Sequence, residues 1–453
     1  MTERVVGWLD DRFGGAAFVR HALRKAFPDH WSFLLGEINL YCFLVLIATG
    51  TFLAFFFDPA HAPTTYRGAD KLLEGVTVST AYASALHLSF DVNAGLLIRQ
   101  VHHWAALVFI AAIFVHMARI FFTGAFRRPR EINWMVGVIL LGAALFEGFA
   151  GYSLPDDLLS GVGLRIADSV MLSVPLLGTW ASFLLLGGAF PSANAGPRLF
   201  VTHVYIIPAI LGSLIALHLA IIWRQKHTQF RGPGRTEQNV AGSPLVPNYA
   251  MRSFSLGAGV VALLTLLGAV VQINPIWVYG PYLPWQALAP AQPDWYMGWL
   301  EGALRIGPPW GLHIFGHLIP PPFWPAVLLP GVLFAILFFW PFIERFFTRD
   351  GTEHNLLDRP RDAALRTAIG CGLCSFAIVL TFAGSDDVQA RYTYLSVFTL
   401  TTVYRILALT VPFVVTLIAY AIALNLRKRE IEPAARVRIF RNAAGGYEEE
   451  TIP

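Results

Sequence analysis

The chain alternates long apolar runs with short polar, arginine-bearing segments, and the runs are all 18 to 25 residues long. Stretches near 34–57, 102–123, 133–152, 199–223, 254–273, 323–342, 366–383 and 403–425 each match what a helix needs to cross a hydrocarbon core. They predict an all-α integral membrane protein of about eight transmembrane helices. The polar breaks divide it into an N-terminal segment (1–33), a four-helix bundle (34–224), a linker (225–253), a second set of helices (254–425) and a tail (426–453).

Composition strengthens this picture. Of 453 residues, 55% are hydrophobic and 14% charged, with a mean hydropathy of +0.55, which lies outside the range of soluble domains. Between the runs, Lys and Arg alternate in abundance: twenty-four fall on the side that holds both ends of the chain and six on the other, leaving aside Arg99, Arg119 and Arg405 at or within the runs. That bias places both termini in the cytoplasm and favours an even helix count. The net charge of +4 is therefore a topology signal and gives no reason to expect nucleic-acid binding. Residues 1–30 lack the apolar core of a cleavable signal peptide, so the first run is expected to insert the chain. Cys371 and Cys374 have a CxxC spacing inside an apolar run with no following histidine, and are read as packing residues.

Two runs carry histidine pairs: His102 and His116, 14 residues apart, and His203 and His218, 15 apart. On an α-helix these spacings rise about 21 and 22 Å and end about 40° to one side and 60° to the other of the starting direction. Each helix then shows an imidazole near each end of one broad face. A lone histidine on an apolar helix is more often a packed core residue than a ligand, but two pairs of nearly equal span favour two stacked bis-imidazole sites. Neutral imidazole is a good axial ligand for haem iron, and iron with both axial positions filled by protein transfers electrons without binding oxygen. His103 faces well away from His116 and is not expected to ligate.

Other residues fit the same plan. Gly36 and Gly50 in the first run, and Gly137 and Gly151 in the third, are each 14 apart; they could make room for a flat porphyrin, or serve ordinary close helix packing. Arg99 and Arg119 lie about one turn outside His102 and His116, where they could pair with haem propionates or snorkel to the interface. With both terminal segments inside, His102 and His203 form the outer site, and His116 and His218 the inner one.

These histidines, the four glycines and Pro293-Asp294-Trp295-Tyr296 resemble cytochrome b of the respiratory quinol-cytochrome c reductase. The resemblance covers roughly residues 30–430. It is closest to the actinobacterial type through GYSLPDDLLSG (151–161), QKHTQFRGPGRTE (225–237), PDWYMGWLEGALR (293–305) and HNLLDRPRD (354–362). The resemblance implies two non-covalent, bis-histidine haems b in a bacterial plasma-membrane protein. It also implies quinol oxidation at an outer site, with one electron passing to a Rieske iron-sulfur protein. The other would pass through both haems to an inner quinone, coupled to proton translocation. Asp294, in place of the family's usual Glu, would accept a proton, Tyr296 would contact the quinol or its surroundings, and the shorter Asp would call for a water or a partner such as Glu301. Gly163 aligns with a glycine that lets the quinol approach a short surface helix. Without chemistry, the tetrapeptide could instead be an interfacial aromatic anchor with an N-cap.

Departures from the mitochondrial pattern carry their own expectations. The fourth-run pair is one residue wider, which adds about 100° of turn and calls for a local distortion or a rotated imidazole. After Gly151 the usual Pro-Trp-Gly is replaced by Leu154-Pro155-Asp156-Asp157-Leu158, whose acids could feed proton exit or, the preferred reading, solvate a loop. At the inner quinone site Trp223 replaces the usual His, and Arg252-Ser253 replace Lys-Asp. Proton donors there would be drawn from Lys226, His227, His30 or Glu37, and the likeness suggests menaquinone. The chain has neither Rieske cysteines nor CxxCH, so a Rieske protein and a cytochrome c subunit, expected to be di-haem, would complete it. The family further implies a homodimer and a possible supercomplex with a terminal cytochrome c oxidase. Rival readings are the haem b anchor of a quinone-linked dehydrogenase, which usually has fewer spans, and a transporter, for which no inverted repeat is visible.

Overall fold

The computed structural model describes residues 25–286, 292–314 and 316–431. It also describes residues 7, 8, 10–12, 14, 15 and 23, and two paired strands, Arg436–Arg441 and Tyr447–Ile452. Arg4, Arg20 and Arg24 of the topology count lie outside the described residues.

Among the described residues, eight helices are long and apolar enough to cross a membrane: Leu35–Ala54, Gly95–Phe122, Glu131–Tyr152, Ala195–Gln225, Leu245–Val270, Trp324–Thr348, Pro360–Ala383 and Val397–Lys428. They are called spans one to eight. Each contains or closely overlaps one apolar run. Span two begins seven residues earlier than its run, because Arg99 and Gln100 interrupt the apolar window without interrupting the helix. Arg99 Nη2 donates to Asn274 O at 2.8 Å, and Gln100 Nε2 to Ile273 O at 2.8 Å. Ile273 N donates in turn to Gln100 Oε1 at 2.9 Å. These bonds clasp the start of span two to the extended chain leaving span five, which stops at Val270.

The densest packing lies around span two, whose Ala105, Phe109, Ile110, Ile113 and Phe121 meet Trp134, Val138 and Leu141 of span three and Trp340 of span six. Large apolar side chains elsewhere point outward, among them Leu217 and Leu219 on span four and Leu417 and Ile418 on span eight. Helices apolar all round are stable in lipid and not in water. Cys374 is on such an outer face and Cys371 is half-buried, so Cys374 is not the core-packing residue expected: its helix turns it away from the bundle.

Short helices cover one end of the bundle, including Leu158–Leu172, Gly178–Leu186 and Gly298–Ile306. Asp157 starts the first of them, accepting from Leu159 N at 3.2 Å, and is fully buried. The reading of Asp157 as a solvating loop acid is therefore wrong. The chain at 280–282 folds over it, with Leu158 N donating to Gly280 O at 2.9 Å, and excludes water. Burial pushes its carboxyl up to about 6 despite the neighbouring Arg99 guanidinium.

Candidate functional site

The extra residue between His203 and His218 has a visible home. Span four contains one π-turn, Thr202–Ile206, in which Ile207 N bonds Thr202 O. A π-turn inserts one residue into an α-helix without ending it. With that residue absorbed, the 15-residue pair recovers nearly the angular relation of the 14-residue pair on span two. The expected distortion is thus present, centred on the outer histidine.

His102 and His203 stand with ring centres 6.2 Å apart and planes at 81°. With metal–nitrogen bonds of about 2 Å, and each nitrogen roughly 1 Å from its ring centre, two imidazoles on opposite sides of one metal have ring centres about 6 Å apart. Each ring is also held through its other nitrogen, as ligating histidines usually are. His102 Nδ1 is 2.8 Å from Thr49 Oγ1, which itself donates to Val45 O. His203 Nδ1 is 3.1 Å from Glu147 O and 3.1 Å from Glu147 Oε1. At the other end, His116 and His218 are within electrostatic reach of each other.

Each of the four glycines faces one of these rings. A Cβ on Gly36 would lie 3.3 Å from His116 Cε1, on Gly50 3.1 Å from His102 Cε1, on Gly137 3.9 Å from His218 Cε1, and on Gly151 2.4 Å from His203 Cε1. Spans one and three therefore present bare backbone where spans two and four present imidazoles. Arg119 is a half-buried cation whose Nε and Nη2 are buried and unpartnered, its guanidinium 4.2 Å above the Phe33 ring. Arg99 Nε is likewise unpartnered. Among the described residues no cluster of three or more His, Cys, Asp or Glu could hold a bare metal ion. Two imidazoles suffice only for a metal whose remaining ligands come from a macrocycle. The side-chain-free cradles, paired rings and spare cations fit haem.

The outer pair itself stands in a cavity of about 250 Å³ that takes in Gly50, His102, Gly151 and His203, the cradle a haem would fill, and reaches Arg99, His103, Glu147, Tyr152, Asn274, Asp294 and Tyr296 at its wall. His103, set aside as a ligand, turns the other way and meets Asp294: its Nε2 is 2.9 and 3.0 Å from the two carboxylate oxygens. Tyr296 is buried, and its hydroxyl donates to Asp294 Oδ2 at 3.3 Å. It lies so close to span three that a Cβ on Gly148 would sit 2.6 Å from that hydroxyl. Gly163 is on the short helix behind, 3.3 Å in the same sense from the Tyr152 ring. Glu301 does not line the cavity. It is bound by Arg305, whose Nε donates to Glu301 Oε1 at 3.0 Å and whose Nη1 also reaches Asp387 at 2.9 Å. The partner assigned to Glu301 at Asp294 is in fact His103.

The inner end gathers most of its candidates. Glu37 accepts from the Tyr249 hydroxyl, and Tyr41 OH is 2.9 Å from Ser253 Oγ. Phe27 stacks on Tyr249 at 4.4 Å and lies 4.7 Å from the His227 ring. Arg252 pairs with Asp29, and the Lys25 ammonium lies 4.2 Å above the Trp223 ring. Burial, with Lys25, Arg130 and Arg119 nearby, holds His227 down to about 4. Burial and Arg119 also lower His30. Both rings are thus neutral near pH 7. Lys226 is exposed, on a left-handed backbone turn.

Glu147 and the His103–Asp294 contact are what sequence reasoning missed. An acidic residue within an apolar run was itself a signal, since intramembrane carboxylates are rarely without a role.

The family described as cytochrome b (N-terminal)/b6/petB matches residues 107–281. The cytochrome bc1 complex cytochrome b subunit of Mycobacterium bovis is 51% identical over 93% of this chain and 77% of its own. Its counterparts in Corynebacterium efficiens and Streptomyces coelicolor are 48% and 46% identical, each over 94% of this chain and 78% of theirs. The fold is shared with a hyperthermophilic respiratory Complex III chain at a TM-score of 0.68 and 20% identity, covering 92% of this chain and all of that one. The chain belongs to the cytochrome b family, among the cytochrome b subunits of actinobacterial cytochrome bc1 complexes.

Proposed function

We propose that this cytochrome b oxidises menaquinol at its outer end, next to Asp294 and Tyr296, and carries one of each two electrons across the membrane to a quinone at its cytoplasmic end. The observation that carries the reading is the set of four histidines, each opposite a glycine on the neighbouring span. His102 and His203 would hold an outer haem b and His116 and His218 an inner one, with Arg99 and Arg119 beside the propionates. Bound there, the two haems supply reversible one-electron transfer.

The protein's own groups do the rest. Asp294 is an acceptor at the cavity wall, and a carboxylate that receives a quinol hydroxyl proton speeds oxidation of a weakly acidic substrate. The His103 N–H fixes the rotamer of that carboxylate, and Tyr296 closes the wall behind it. In this reading Trp223 and Arg252 lie beside the inner quinone, and Glu37 with Tyr249 delivers protons to it.

The second electron of each quinol leaves to a Rieske iron-sulfur protein and then to a cytochrome c subunit, di-haem in this proposal. Residues 34–224 form the haem-binding bundle and 254–425 the helices that complete the quinol site. Both termini face the cytoplasm of the bacterial plasma membrane, and the complex is a homodimer able to join a terminal cytochrome c oxidase.

Protohaem per chain, measured by pyridine haemochrome on the purified complex, is the test. Two b haems per cytochrome b support the reading. One haem would favour a dehydrogenase-type anchor, and none would return the histidines to packing or proton relay.

A further inference from the structure

The two outer histidines are held by unlike partners. His102 Nδ1 meets the hydroxyl of Thr49 at 2.8 Å, a neutral group that can accept but carries no charge. His203 Nδ1 meets the Glu147 carboxylate at 3.1 Å. Nothing among the described residues places a carboxylate on either inner ring, and His116 Nδ1 has no partner at all. The Glu147 side chain is only 17% exposed, its Oε2 is unpartnered, and no Lys or Arg contacts it among the described residues. The His203 N–H is the donor that meets it, and an ionised carboxylate held there would act strongly over short distances in a medium of low dielectric.

From this arrangement we infer that Glu147 is a positioning residue that sets the midpoint potential of the outer haem through His203, and this rests on the ligand assignment proposed above. An N–H donated to a carboxylate makes the imidazole a stronger donor to iron, and the buried negative charge favours the more positive, oxidised iron. Both effects lower the potential of the outer site relative to the inner. The chain thereby acquires a downhill direction from the quinol side to the cytoplasmic side. The backbone carbonyl of Glu147 also lies 3.1 Å from the same nitrogen, so the ring orientation survives loss of the carboxylate while its electrostatic effect does not.

The experiment is a potentiometric titration of the b haems in the purified complex, with haem content measured on the same samples. His218→Ala identifies the inner component as the one it removes. In Glu147→Gln both haems stay and the outer component rises. At the wild-type outer midpoint its reduced-to-oxidised ratio increases by about tenfold, equivalent to about 59 mV for one electron, while the inner component stays put. Glu147→Asp keeps the charge one methylene further back and recovers at least half of the shift. An unshifted outer component in Glu147→Gln overturns the inference, as does an equal shift in the Asp and Gln variants, since packing would then be the cause. Loss of the outer haem from both variants overturns it for the same reason. Fewer than two b haems per chain in the wild type would overturn the ligand assignment instead.

Discussion

His103 Nε2 and Asp294 Oδ1 are 2.9 Å apart, although 191 residues separate them in the chain. The contact ties span two to the segment that precedes helix Gly298–Ile306. It sets a carboxylate at the wall of the cavity beside His102. A carboxylate only accepts hydrogen bonds, so the imidazole donates through Nε2.

Asp294→Asn keeps the shape of that side chain and removes its basicity. Quinol oxidation by the assembled complex should fall about a hundredfold, at the lower end of what a general base contributes. The haem spectra should stay unchanged. Steady-state quinol:cytochrome c turnover checks this, and undiminished turnover would remove Asp294 from proton transfer. His103→Phe should give a smaller loss, because it frees the carboxylate rotamer without removing the acceptor.

How much of this was legible in the chain depended on the range of the interaction. Span length and arginine placement are local properties, so all eight helices could be read from apolar runs. The histidine and glycine pairs were legible because a helix converts fixed spacing into a shared face. The π-turn at Thr202–Ile206 was implied by an extra residue, but its position depended on where His203 had to sit. The His103–Asp294 contact, the burial of Asp157 under residues 280–282 and the outward turn of Cys374 arise from tertiary packing. No local pattern specifies them.

His218→Ala should remove the inner haem and leave the outer one, giving about one b haem per chain by pyridine haemochrome. The two pairs sit at opposite ends of spans two and four, so truncating one ring leaves the other cradle intact. Equal retention of both haems would overturn the assignment of His218.

The glycines should differ in tolerance. A Cβ on Gly151 would enter the His203 ring at 2.4 Å, whereas one on Gly137 would lie 3.9 Å from His218, an ordinary contact distance. Gly151→Ala should therefore displace the outer imidazole and lower haem content toward one per chain. Gly137→Ala should retain two. The reverse order would show that ring clearance is not what these glycines provide.

Asp157 makes stability depend on pH in an unusual direction. Its carboxyl is raised to about 6 in the folded protein, against about 4 in an unfolded chain. Between those values the folded state holds the extra proton, so stability is greatest below about pH 4 and declines as pH rises through 6. The decline is on the order of 2–3 kcal/mol for this one group. Asp157→Asn keeps an oxygen to cap Leu159 N but cannot ionise, so it should not share the loss. Thermal unfolding of the detergent-solubilised complex between pH 4.5 and 8 compares the two, and the variant's advantage in Tm should grow with pH up to about 7 and then level. A constant difference across that range would mean that Asp157 is already ionised in the folded protein, held by Arg99.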